Sequence, residues 1–235
     1  MSARVRGAIE LAPQPSAGAL ALDLSAGDGL SSTMLAERGW RVVSTEYRTR
    51  KSGWVCADLR DDLPFKTARF DLVVMLEVIE HLADIPHAFA EIARVLKVGG
   101  SAILSTPNRL NLASRAHYQR TGFYKGRRSP LHYKYRPDDG RNWHVMGLND
   151  LHWIAWSENL RLDALGKSRR KLRSRLAFPF RWPMVYASSW LLYGRGASDP
   201  AQAKINRELL RFMTSASLLM DENIIMRFHR GGADG

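Results

Sequence analysis

The stretch Ala21-Leu22-Asp23-Leu24-Ser25-Ala26-Gly27-Asp28-Gly29 constrains the fold more than any other part of the chain. An apolar run broken only by Asp23 reads as a buried strand. Small residues and two glycines follow at once, and 30–38 reads as a helix closed by Gly39. A strand feeding a helix through a tight glycine loop is the opening unit of a doubly wound α/β sheet. The loop amides and the helix N-terminus then face the space beyond the strand, a setting that favours a nucleotide-like ligand. Gly27 and Gly29 let such a ligand approach the backbone with no Cβ in the way.

The segments that follow continue the alternation. Residues 41–46 predict a second strand ending in the acid Glu46, and Cys56-Ala57-Asp58-Leu59 offers another acid after a short strand. Residues 70–76 read as a buried strand. Helical spacing at Ala88, Ile92 and Leu96 predicts a helix over 86–97, and Gly99-Gly100 turns the chain into a strand over 101–106. Beyond Pro107-Asn108, a helix capped at Asn149 is expected, with Leu151, Ile154, Ala155 and Leu160 facing inward. A strand over 161–165, an amphipathic helix over 201–213 and a last strand over 223–229 complete the reading.

This series, from about 20 to 108, resembles the class I S-adenosylmethionine-dependent methyltransferases. The resemblance implies an α/β fold: a doubly wound, seven-stranded, mainly parallel sheet of Rossmann-like methyltransferase type, with its last strand antiparallel and acceptor-lid insertions. It implies one domain, with a cofactor-binding half over 18–108 and an acceptor lid over 109–148. A basic and apolar insertion over 166–213 and a last-strand region over 214–230 follow. The implied cofactor is S-adenosyl-L-methionine. Asp23, Gly27 and Gly29 would hold its methionine end, with Ser25 standing in the loop where the family usually has glycine. Glu46 would hold the ribose, Asp58 and Leu59 would flank the adenine, and Leu76 and Glu77 would sit at the pocket mouth.

Glu77-Val78-Ile79-Glu80-His81 follows the fourth predicted strand. A helical turn there would set Glu77, Glu80 and His81 on one face. His144 stands in a loop before the helix that follows. This constellation resembles the ubiquinone-biosynthesis O-methyltransferases and the small-RNA 2′-O-methyltransferases. Glu80, His81 and His144 are therefore the candidate catalytic groups, because a hydroxyl acceptor must lose a proton to become a nucleophile. The same residues with Glu77 form an alternative ligand set for a divalent metal. A set that only shapes the cofactor pocket is the plainer reading.

The net charge is +12, and it is concentrated. Residues 109–182 hold 17 Lys/Arg against 5 Asp/Glu, so the rest of the chain sums to zero. The acceptor, or the surface that carries it, is expected to be anionic. Six of the nine residues 167–175 are cationic, and a proline-broken aromatic segment follows directly, a pattern suited to an anionic membrane surface. A small-molecule, lipid or glycan acceptor is thus expected, probed against two alternatives: an RNA substrate and a non-catalytic cofactor-binding scaffold. One cysteine and the absence of a secretory pattern at 1–6 point to the cytoplasm, with peripheral attachment to the inner face of a membrane.

Overall fold

A computed structural model describes residues 3–48, 51–124, 146–195, 197 and 199–232. Seven strands form one sheet: β1 (Leu20–Leu24), β2 (Arg41–Glu46), β3 (Val55–Cys56), β4 (Phe70–Leu76), β5 (Leu96–Pro107), β6 (Leu160–Leu165) and β7 (Asn223–Arg230). Their order is β3-β2-β1-β4-β5-β7-β6. Pairings from β3 to β5 are parallel, and β7 runs antiparallel to both β5 and β6. This is the expected seven-stranded, mainly parallel α/β sheet.

Alternate residues of the central strands bury on opposite faces, because successive side chains of a strand point to opposite sides. On one face Leu22, Leu24, Val73 and Met75 pack with α3 (Ile85–Val95), α5 (Leu148–Ser157) and Phe228. There Phe89 meets Phe228 edge to face at 5.8 Å. On the other face Ala21, Leu72, Val74 and Ile103 pack with Val5 and Ile9 of α1 (Ala3–Leu11) and Leu35 of α2 (Leu30–Glu37). Sheet faces covered on both sides explain why these strands read as apolar runs.

Several local expectations need correction. α1 was not anticipated from the sequence, yet it covers one sheet face. Its Gly7 lies so close to the chain after β6 that a Cβ there would stand 1.8 Å from the carbonyl oxygen of Lys167. β5 begins at Leu96, earlier than 101, because Leu96 pairs with Phe70 and a bulge absorbs the residues up to the Leu72–Ser101 pair. Asn149 is not the cap of α5. Gly147 holds that position, its amide donating to Asp150 Oδ2 at 2.8 Å, and Leu160 belongs to β6. Neither proline breaks α6 (Leu172–Ser189), which runs through Pro179 and Pro183 before a π-helical turn over Trp190–Gly194.

Beyond β5, helices join the remaining strands. α4 (Leu112–Thr121) opens the predicted lid, and α7 (Pro200–Met213) and α8 (Ala216–Met220) lie between α6 and β7. Asn111 caps α4 by accepting from the Ser114 amide at 2.9 Å, and Asp199 caps α7.

Candidate methyl-donor site

Strand order reverses between β1 and β4, since β2 and β3 lie on one side of this pair and β5 on the other. At such a switch point the chain leaves adjacent strand ends in opposite directions and opens a crevice beyond them. Leu24 pairs with Met75, so Ser25 and Leu76 stand side by side at the crevice. The sequence-predicted residues gather here from three strand ends: Asp23 near the end of β1 with Ser25, Gly27 and Gly29 after it, Glu46 at the end of β2, and Leu76 at the end of β4 with Glu77 after it.

Asp23 is 1% exposed and accepts hydrogen bonds from the hydroxyls of Ser31 at 2.6 Å and Ser32 at 2.5 Å. Burial pushes its carboxyl above the usual aspartate range, against the pull of the two serines. Asp23 thus ties the first turn of α2 to the end of β1. The loop between them curls over β2: the Ser25 amide donates to Thr45 Oγ1 at 3.2 Å and the Ala26 amide to the Thr45 carbonyl at 2.9 Å. The Gly27 amide donates to Glu46 Oε2 at 3.0 Å, so the carboxylate sits at the loop's crest. Gly27 has φ +58°, and no atom lies within 4 Å of where its Cβ would stand. The Glu46 carboxylate beside this open space accepts from two amides, Gly27 through Oε2 and Tyr47 through Oε1 at 3.0 Å.

Four non-glycine residues adopt positive φ among the described residues, and two of them flank this crevice: Ser25 at +54° and Glu77 at +56°. Left-handed backbone costs a side-chain-bearing residue energy, and such positions concentrate where a site imposes its own geometry. The left-handed Glu77 also overturns the expected helical turn. The 3-10 turn starts only at Ile79, so Glu77 and Glu80 do not share a face. Glu77 instead ion-pairs with Arg4 of α1 and accepts from Asn223 Nδ2 at 2.5 Å. Glu80 is 5% exposed, its Oε2 is buried with no hydrogen-bond partner among the described residues, and burial pushes its carboxyl up despite Thr106 and the charges of His81 and Arg109. His81, on the same turn, is exposed.

Leu59 contributes its side chain to the core, which leaves its backbone beside the end of β3. The Asp58 carboxylate is forked by Arg60, with contacts of 2.6–3.1 Å that hold it below the usual aspartate range. Arg60 also reaches the Tyr47 hydroxyl at 2.7 Å, joining the ends of β2 and β3. His144 lies outside the described residues. Among the described residues no group of three His, Cys, Asp or Glu could hold a metal ion. Glu77 is engaged by Arg4 and Asn223 instead, so the metal set is not supported among the described residues.

Sequence reading missed Arg4. Its guanidinium reaches the site from α1, lies within electrostatic range of Glu80 and Asp28, and is pulled down by burial. It also missed Lys51, whose Nζ donates to the Gly27 carbonyl at 2.8 Å while sitting over the Trp54 ring at 4.1 Å. Neither stands in a motif; only the packing of α1 and the approach of β3 to the loop bring them in.

Residues 22–104 match the family described as Methyltransferase domain. The matched stretch runs from β1 into β5, the part of the sheet that frames the crevice. It is 36% identical over 112 residues to a ubiquinone biosynthesis O-methyltransferase of Cereibacter sphaeroides, covering 42% of this chain and 45% of that one. It is 34% identical over 101 residues to a demethylmenaquinone methyltransferase of Thermobifida fusca, covering 37% of this chain and 43% of that one. The chain thus spans under half the length of these curated relatives. A solved S-adenosylmethionine-dependent methyltransferase from Mesorhizobium loti superposes with a TM-score of 0.55 at 13% identity, covering 97% of this chain and 98% of that one. At that identity the likeness speaks for the fold.

Proposed function

We propose that this chain transfers a methyl group from S-adenosylmethionine to an oxygen of an anionic or membrane-associated small molecule, lipid or glycan. The observation that carries the donor half is the crevice at the β1–β4 switch point, where Gly27 leaves open space beside the Glu46 carboxylate. Asp23, Ser25, Gly27 and Gly29 take the methionine end, Glu46 the ribose hydroxyls, and Asp58 with the Leu59 backbone the adenine edge. Leu76 and Glu77 close the mouth. The bound cofactor supplies a sulfonium methyl, open to in-line attack. The protein's part is alignment and removal of the acceptor proton. His81, exposed on the turn beyond β4, is the proton acceptor on this reading. Glu80, buried behind it, is a positioning residue that holds negative charge near the forming imidazolium. His144 is a second candidate for proton handling.

The oxygen acceptor is supported by the matching segment of the ubiquinone biosynthesis O-methyltransferase. The anionic character of the acceptor, or of the surface that carries it, is supported by the +12 charge, which falls within 109–182. RNA is the second reading, favoured by the same charge.

A labelled-methyl assay on lipid, glycan and RNA fractions tests the proposal. Label should enter the lipid or glycan fraction, and His81→Ala should lower kcat by about 10²–10⁴-fold with cofactor binding intact. Label in RNA alone would favour the second reading. Binding of cofactor with no label in any fraction would leave only a scaffold.

A further inference from the structure

α6 leaves a wide apolar stripe uncovered. It buries Ser174, Val185 and Ser189, with Ala177 and Phe178 packed partly inward, whereas Leu172, Leu176, Phe180 and Met184 are 65%, 66%, 84% and 61% exposed. Four-residue spacing sets these on one side of a helix. The π-helical turn continues the apolar surface with Leu191 and Leu192, 50% and 75% exposed. A helix on a water-facing surface normally turns its apolar stripe to the core and its polar stripe outward.

The neighbouring stripe of α6, Arg173, Ala177 and Arg181, packs toward α4. With Leu112, Ala113, Ala116, His117 and Arg120 it lines a cleft of about 210 Å³. Among the described residues, three guanidiniums and no acidic side chain line this cleft. Counter-charge is missing nearby in sequence too: residues 164–198 hold eight Lys/Arg and no Asp/Glu. Converging guanidiniums over an apolar floor make a receptor for a phosphate whose other end is greasy.

We infer that α6 docks on an anionic phospholipid bilayer, with a lipid phosphate seated in the cleft between α4 and α6. The apolar stripe enters the boundary between headgroups and acyl chains while the arginines stay at phosphate depth. Pro179 and Pro183 withdraw the donors from two helix carbonyls, which water can satisfy at an interface but not inside hydrocarbon. No described helix is long and apolar enough to cross a membrane. RNA would satisfy the arginines and leave the apolar stripe in water. A second copy would set the same arginines against each other. α4 starts just beyond the carboxyl end of β5, the strand next to β4, so the docked face adjoins the edge of the sheet that holds the donor crevice.

The test needs no cofactor and is independent of methyl transfer. The full chain is sedimented at physiological salt with vesicles of phosphatidylcholine, and with vesicles of equal parts phosphatidylcholine and phosphatidylglycerol. Binding should be at least tenfold stronger to the anionic vesicles. The variant R120Q/R173Q/R181Q should lose about a hundredfold of it, on the scale of three surface cations at an anionic leaflet. The variant L176S/F180S, which keeps every charge, should also lose at least tenfold. All substituted side chains line the surface, and unchanged thermal unfolding confirms that each variant folds. Equal binding to both vesicle types, or full binding by L176S/F180S, would overturn the inference. So would displacement by millimolar inorganic phosphate alone, which would make the cleft a free-anion site. A mobility shift with single-stranded RNA that needs the arginines but survives L176S/F180S would assign the face to nucleic acid instead.

Discussion

Ser25 holds a conformation that glycine adopts freely: φ +54°, tied by its amide to Thr45. The left-handed region costs a residue with a Cβ about 1–2 kcal/mol, part of which glycine forfeits through its looser unfolded chain. Ser25→Gly should therefore raise stability by up to about 1 kcal/mol, a shift of roughly 2–4 °C in Tm for a chain of this size. Ser25→Ala, which keeps the backbone cost, should show no such gain in the same melting experiment. Glu80 makes a prediction in pH. Burial raises its folded pKa above the usual value of 4.5, so its contribution to stability is complete below that value and is lost as pH rises through the folded one. Glu80→Gln removes this titration. In urea unfolding, the variant should gain on the natural protein as pH rises from acid toward neutral; parallel curves would show that Glu80 is not buried in its charged form.

The elements differ in how tightly they fit. α1 closes one sheet face through Gly7, where a Cβ would collide with backbone rather than with a flexible side chain. Gly7→Ala should cost about 1–3 kcal/mol in urea unfolding, as overpacking at an interface does. Because α1 also delivers Arg4 to Glu77, the same change should loosen the donor site. At the α4 N-terminus, the fully buried Asn111 side chain supplies the cap. Asn111→Ala should cost about 0.5–2 kcal/mol and should weaken anionic-vesicle binding by disordering one wall of the cleft.

For the whole molecule, the buried half of the sheet was plain in the sequence. Arg41–Glu46 and Phe70–Leu76 fall where apolar patterning sets them, because those strands are covered on both faces. The glycine loop between β1 and α2 was equally legible, since its glycines answer to local backbone needs. What the sequence hid depends on distant packing. α1 carries little apolar contrast of its own, and its register is set by Lys167 and Ile225. Glu77 and Glu80 were expected on one face, and a left-handed turn at Glu77 sends them apart. α6 was expected to break at its prolines, yet both stand on its exposed side, where lost hydrogen bonds can be made to solvent.

The donor crevice is the centre of this reading, and a calorimetric titration of the full chain with S-adenosylmethionine tests it most directly. The expected result is a single saturable site in the micromolar range, weakened at least tenfold by Glu46→Gln and by Gly27→Ala in chains that remain folded. No binding by the natural chain, or binding that both variants leave unchanged, would contradict the assignment of the β1–β4 crevice as the methyl-donor site.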